Sequence, residues 1–486
     1  MMTIKDLQPK IVWNNFYGLT QVPRPSKHEG KVQDYLLKWG KEHNIETIKD
    51  ETGNIIMRVP ATKGYEDRKG VVIQGHMDMV PQKTADTKHD FLKDPIETQI
   101  IGDWVGAKGT TLGADNGIGV AMGMSVLEDK TLKHGPIEVL VTYDEETGMT
   151  GASCLKPGVL KGDILLNLDS ETEGELYIGC AGGLDGKADF KYRSYAVPED
   201  FESYKLTVKG FQGGHSGMDI ILYRANANKV AARIVLPLIE KFGVKVNSFN
   251  GGSLRNAIPF EAEVGVLVPK AALAKVKSEV KAVFAQVMTE FGQTDPNGEC
   301  HFEKESKPAA KYIQDKVILN AVKAILACPN GVDRMSSAVE GLVETSNNMA
   351  VVRTEKGHLT VSCLMRSSVD SAKDYLAEKM RCVFDLAGAE FSVKGGYSGW
   401  APKPDTPIIS TMKETYKDLF GKELKVMAIH AGLECALMGA KYPKWDMVSL
   451  GPTIVHPHSP DERVNIETVG KAWKFVTAVL ERIPKK

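Results

Sequence analysis

Three short apolar runs, each ending abruptly in groups that can bind a cation or move a proton, constrain this sequence more than any other feature. Gly70 to Gln74 (GVVIQ) leads into Gly75-His76-Met77-Asp78, and Ile137 to Thr142 (IEVLVT) leads into Tyr143-Asp144-Glu145-Glu146. Asp163 to Leu168 (DILLNL) leads into Asp169-Ser170-Glu171. Runs this short, apolar and largely β-branched read as buried strands. Between the first two stands Gly113-Ala114-Asp115-Asn116-Gly117-Ile118-Gly119, followed by a small-residue helical stretch, VAMGMSVLED. Strands alternating with helices predict a largely parallel α/β sheet. In such sheets ligands gather outside the carboxyl ends of the strands, which is where all three runs place their acids and imidazole.

At 486 residues the chain exceeds one ordinary core, so two or more domains are expected. Val32, Tyr35, Leu36 and Trp39 recur at helical intervals within Gly30 to His43. The character changes near residue 187. Tyr204 to Lys209 alternates as a half-exposed strand, and Ala225 to Leu238 reads as a helix. Val351-Val352-Arg353 with His358 to Met365 predicts a hairpin, followed by a helix over Ser371 to Leu386. Two hairpin-plus-helix units predict an α+β domain with an antiparallel sheet, spanning 187–395. It is inserted into an α/β domain made of 1–186 and 396–486, whose pattern ends in Val448-Ser449-Leu450-Gly451-Pro452.

Composition removes several function classes. The 61 basic and 62 acidic residues nearly cancel, which gives no electrostatic reason for a nucleic-acid or membrane partner. No apolar run approaches the roughly 18 residues of a spanning helix. The polar start Met1-Met2-Thr3-Ile4-Lys5-Asp6 lacks the apolar core of a signal peptide. Seven scattered cysteines without a C-x-x-C pair predict reduced thiols, so a cytoplasmic location is expected.

A pair of divalent metals in a hydrolase needs a few imidazoles and several carboxylates, one of them bridging ions about 3.5–4 Å apart. The candidates are His76, Asp115, Glu145, Glu146, Asp169 and His458. Three negatives from Asp115, Glu146 and Asp169 plus a bridging hydroxide would balance two zinc ions, leaving Glu145 free to act as a base. Each feature alone has a plain structural reading. A single histidine after a strand is ordinarily packed or solvated, and a Glu-Glu pair commonly starts a helix. Gly-Ala-Asp-Asn-Gly can be an Asx turn, and it is not the G-x-G-x-x-G of a dinucleotide site. Recurrence at several strand ends is what tells against coincidence. His456, two residues before His458, competes with it as a ligand, while His430 reads more naturally as structural.

The strings GHMDMVP (75–81), TLGADNG (111–117), DEETGMTGA (144–152), NLDSE (167–171), GGHSG (213–217), NAIP (256–259), HAGLE (430–434) and PHSPDE (457–462) resemble, in order, those of the M20 metallopeptidases. More narrowly they look like the aminoacyl-histidine dipeptidases, the Xaa-His dipeptidase branch. The likeness runs from near Thr20 to near Glu467. It implies a zinc-peptidase catalytic domain of phosphorylase/hydrolase-like α/β fold carrying an inserted α+β lid domain. It also implies metal-dependent hydrolysis of dipeptides with a free amino terminus.

The residue roles that follow are those the resemblance implies. His76 and Asp169 would hold one metal, Glu146 and His458 the other, and Asp115 would bridge them, with a cis peptide after Asp115. The motif Ser459-Pro460-Asp461-Glu462 aligns His458, and not His456, with the ligand. Asp78 would orient the His76 imidazole. Glu145 would take a proton from the metal-bridging water and pass it to the leaving amine. His215 would steady the oxyanion, Asn256 and Arg366 would grip the substrate carboxylate, and Gly432 and Glu434 would line the pocket, Glu434 toward the substrate amino group. The cofactors implied are two divalent ions, zinc foremost and manganese or cobalt also accepted. The partner implied is a dipeptide, and dimers are common in the family. An N-acyl amino acid deacylase of the same superfamily, or a non-catalytic binding protein on the same fold, are the competing readings.

Overall fold

The three apolar runs fold as strands Val71–His76, Ile137–Thr142 and Ile164–Asn167, with every residue buried. With Asp446–Ser449 they form the parallel centre of an eight-stranded sheet in the computed structural model, which describes residues 3–486. Across the sheet the strands run Glu46–Lys49, Ile55–Val59, Ile137–Thr142, Val71–His76, Ile164–Asn167, Asp446–Ser449, Glu175–Cys180 and Lys425–Ile429. The largely parallel sheet expected from sequence holds for the four central strands only. Ile55–Val59 runs antiparallel to both of its neighbours. Its link to Glu46–Lys49 is a short turn, and a parallel pair would need a crossover of a dozen residues or more.

Burial on both faces explains why these strands read as unbroken apolar runs. The helix Ala114–Glu128 lies against the sheet, and its small residues let it approach closely. A Cβ on Gly123 would stand 2.9 Å from Val139 Cγ1, and one on Gly119 would stand 2.4 Å from the Leu168 carbonyl oxygen. A separate four-stranded sheet runs Ile454–Val455, Arg463–Asn465, Trp104–Ala107, Thr98–Ile101. Its first hairpin turn carries His456 through Glu462.

The chain divides into two compact units. One comprises the chain through Gly179 with Pro402–Ala428 and Leu433–Lys486; the other comprises Cys180–Ala401 with Ile429–Gly432. The second unit's sheet begins with the strand Gly182–Lys191, so it starts before the change of sequence character near 187. Gly182 and Gly183 carry no side chain from which periodicity could be read. The unit holds a nine-stranded antiparallel sheet whose central hairpin, Val343–Glu355 with His358–Ser367, is the one expected. Helices Ala227–Phe242 and Asp370–Leu386 cover it, joining Val230, Ile234 and Met380 to Leu206, Val264 and Val361 in one apolar core. Among the described residues no helix is long and apolar enough to cross a membrane.

Candidate metal centre

Register at the centre of the sheet dictates how the site assembles. Gln74 pairs with Asn167 in parallel, so His76 and Asp169, each two residues further on, arrive at one level and on one face. Thr142 pairs with His76, which brings Glu145 and Glu146 to the same end of the sheet. Asp115 enters from the start of its helix, where the Asp115–Asn116 peptide is cis. Its Oδ1 lies 3.0 Å from His76 Nε2, and its Oδ2 lies 3.0 Å from His458 Nε2. His458 Nε2 is also 3.0 Å from a Glu146 oxygen, and His76 Nε2 is 3.4 Å from Asp169 Oδ1.

Donor atoms of His76, Asp115 and Asp169 therefore gather within 4.8 Å of one another, as do those of Asp115, Glu146 and His458 and those of His76, Glu145 and Glu146. Asp115 is common to the first two groups. His456 joins none of them; its carbonyl accepts from Ser459, and the hairpin turn presents His458 instead.

The electrostatics are those of a site built for positive charge. Hydrogen bonds to Asp115 and Glu146 raise His458 to about 11. Burial opposes charge on His76, yet Asp169, Asp115 and Asp78 outweigh it and hold the imidazole well above its ordinary value. Burial pushes Asp169 up to about 6, and burial with the charges of Asp169, Glu434 and Glu146 raises Glu145 well above the usual carboxylate range. Buried Asp169 Oδ1 and Glu146 Oε1 make no hydrogen bond among the described residues. Two imidazoles and three carboxylates, two of whose buried oxygens lack a donor among the described residues, fit a pair of divalent cations.

The surroundings fix the ligands. Asp78, fully buried, faces His76 Nδ1 at 3.4 Å, while its oxygens accept the backbone N–H of Glu145 at 3.0 Å and of Glu146 at 3.2 Å. Burial raises Asp78, but the His76 imidazole and the Glu145 N–H reverse this and hold it below the usual range. One carboxylate thus ties the His76 imidazole to the segment bearing Glu145 and Glu146.

Two bracing residues escaped the sequence reading. Glu462, 2% exposed, accepts the N–H groups of Leu112, Gly113 and Asp115 at 2.7, 2.9 and 3.1 Å. Arg24, equally buried, donates to the carbonyls of Met77, Asp78 and Gly113. Gly113 sits at φ 70°, and a Cβ there would stand 2.5 Å from Arg24 Nη2, so glycine is required on both counts. Glu462 lay within a recognised motif, four residues after His458, and that was its available signal. Beneath the ligands lies a layer of buried amides and hydroxyls. Gln74 Nε2 donates to Glu434 Oε2 at 2.6 Å, Thr142 donates to the same oxygen, and Asn167 donates to Gln74. Glu434 is 1% exposed and pushed up to about 7 by burial, and its Oε1 has no partner among the described residues.

The remaining candidates meet in the second unit. His215 and Ala257 pair across a two-strand ladder, and the Ser216 N–H donates to the Asn256 carbonyl at 2.8 Å. Arg366 Nε donates to the Ser216 hydroxyl at 3.3 Å. His215 Nδ1 accepts the N–H groups of Gly217 and Met218, so the ring proton of the neutral imidazole belongs on Nε2. Burial, then the Arg366 charge, lower His215, which favours that neutral form. His430 bonds the Ser346 hydroxyl and is driven down to about 3 by burial, consistent with a structural place. Gly432 lies beside the Tyr397 ring.

Comparison with known proteins gives a consistent picture. The family model described as Peptidase family M20/M25/M40 matches residues 72–482. The cytosol non-specific dipeptidase of Escherichia coli (strain K12) is 44% identical over 486 residues, covering 100% of both chains. The crystal structure of aminoacylhistidine dipeptidase from Vibrio alginolyticus superposes with a TM-score of 0.95 at 46% identity, covering 100% of this chain and 99% of that one. Aminopeptidase PepT from Bacillus cereus shares the fold, at TM-score 0.57 and 17% identity over 98% and 99% of the chains.

Proposed function

The chain belongs to peptidase family M20/M25/M40, and from that premise we propose that it is a dinuclear-metal dipeptidase acting on dipeptides with a free amino terminus, Xaa-His among them. The observation that carries the reading is the junction at Asp115, whose two oxygens each face a different imidazole within two overlapping donor groups. The dipeptidase relatives from Escherichia coli and Vibrio alginolyticus support the substrate class. The cytosolic relative supports a cytoplasmic location, as does the lack of any disulfide among the described residues.

In this reading His76 and Asp169 would hold one ion, Glu146 and His458 the other, and Asp115 would serve both. Bound there, the ions would acidify a water and polarise the scissile carbonyl. Glu145 takes a proton from the attacking water and delivers it to the departing amine. Its carboxylate stands in one donor group with His76 and Glu146, within reach of the same site. Arg366 and Asn256 are assigned to the substrate carboxylate, His215 Nε2–H to the oxyanion, and Glu434 to the substrate ammonium through its unpartnered Oε1.

Metal content measured beside a panel of Ala-His, β-Ala-His and N-acetyl amino acids tests this. Two ions per chain and release of free amino acids from the unblocked dipeptides are expected. Hydrolysis confined to the N-acetyl compounds would replace the reading with a deacylase. Asp78→Asn is expected to weaken metal retention about 10–100-fold, because an amide holds the imidazole less firmly and offers Glu145 and Glu146 one acceptor fewer. Chelator competition reads this directly, and unchanged retention would remove Asp78 from the orienting role.

A further inference from the structure

We propose that Tyr397 is a specificity-determining residue whose hydroxyl, beside Arg366, takes one oxygen of the substrate's terminal carboxylate. The inference rests on the dipeptidase reading and extends its carboxylate-binding group by one residue.

Arg366 is 5% exposed and forms no ion pair among the described residues. Asp185, a carboxylate close enough to influence it, is engaged by Arg255 at 2.8 and 3.0 Å. A buried guanidinium without a counter-charge is costly, so an anion is expected to complete it. Its Nε is committed to the Ser216 hydroxyl and its Nη1 faces the Tyr397 hydroxyl at 3.5 Å. Nη2 makes no hydrogen bond to protein among the described residues, which leaves one edge of the fork for a ligand.

Tyr397 is delivered to that edge by sheet geometry. Arg366 and Tyr397 sit on the two strands that flank Gly182–Lys191, and both pair in register with Gly183. They therefore share one face, on either side of a residue that has no side chain. A Cβ on Gly183 would stand 2.6 Å from Tyr397 Cε1 and 2.9 Å from Cζ, so only glycine lets the ring lie across the strand toward Arg366. The Tyr397 strand carries a bulge between Lys394 and Tyr397, with Gly395 at φ 63°, and bulges of this kind re-aim a side chain. The backbone is pinned as well, the Tyr397 carbonyl accepting from Lys373 at 2.6 Å. Gly432 leaves the hydroxyl clear: a Cβ there would come to 3.2 Å from it. The hydroxyl can accept from Arg366 and donate to an incoming oxygen; a carboxylate offers an acceptor at both positions, whereas a carboxamide replaces one with an N–H donor and brings no charge.

The test compares Ala-His with its C-terminal amide on the metal-loaded enzyme and on Tyr397→Phe. The unmodified enzyme should favour the free acid in kcat/KM by at least tenfold. Tyr397→Phe should raise KM for the acid about tenfold, leave kcat within about twofold, and leave the amide's kinetics unchanged. Gly183→Ala, which crowds the ring, should reproduce that KM signature with the hydroxyl still present. An unmodified enzyme that treats acid and amide alike would overturn the carboxylate assignment and this proposal with it. Discrimination that persists undiminished in a folded Tyr397→Phe would overturn the role of Tyr397 alone.

Discussion

Replacing Glu145 with alanine is expected to cost about 10²–10⁴ in turnover while the metal content stays that of the unmodified enzyme. The separation of the two effects follows from how Glu145 is held. Its backbone N–H, not its side chain, bonds Asp78, and its carboxylate takes part in no hydrogen bond among the described residues. Removing the carboxylate leaves His76, Asp115, Glu146, Asp169 and His458 in place with their neighbours. What disappears is the carboxylate assigned as base, which stands in one donor group with His76 and Glu146. Single-turnover rates with metal analysis on one sample check the expectation. Turnover within a factor of two of the parent would end the assignment of Glu145 as base, and loss of metal in parallel with rate would make it a ligand instead.

How much of this was legible in the sequence depends on whether a residue's role is local. A buried parallel strand must be apolar along its whole length, so Val71–His76, Ile137–Thr142 and Ile164–Asn167 announced themselves, and the groups just past their ends were read as one site. Gln74 and Asn167 interrupt those runs two residues before His76 and Asp169. They proved to be the first row of the buried amide layer supporting Glu434. The antiparallel flank of the sheet was missed because a short hairpin and a crossover helix leave similar apolar strands behind them. Arg24 and Glu462 were illegible for another reason: each acts on backbone groups of Gly113 and its neighbours, and backbone groups are the same in every residue. Tyr397 is the extreme case. Its position depends on a bulge on its own strand and on a side chain that Gly183 lacks, across a long separation in sequence.

Asp115→Ala is expected to abolish uptake of both ions, whereas Asp169→Ala should lose one and keep the other. The contrast tests the site's design more directly than activity does, because the two donor groups His76/Asp115/Asp169 and Asp115/Glu146/His458 share only Asp115. Perturbing a residue that merely orients a ligand commonly costs 10–100-fold in affinity, so removing a shared ligand should exceed about 100-fold at each position. The fold should tolerate the change. The Asp115 side chain contacts the imidazoles of His76 and His458, while its backbone N–H to Glu462 belongs to the main chain and survives. Calorimetric titration of the metal-free variants with zinc, alongside their melting temperatures, reads both quantities. One ion still bound at parental affinity in a folded Asp115→Ala would show that the two positions are independent, and the bridging role would have to be given up.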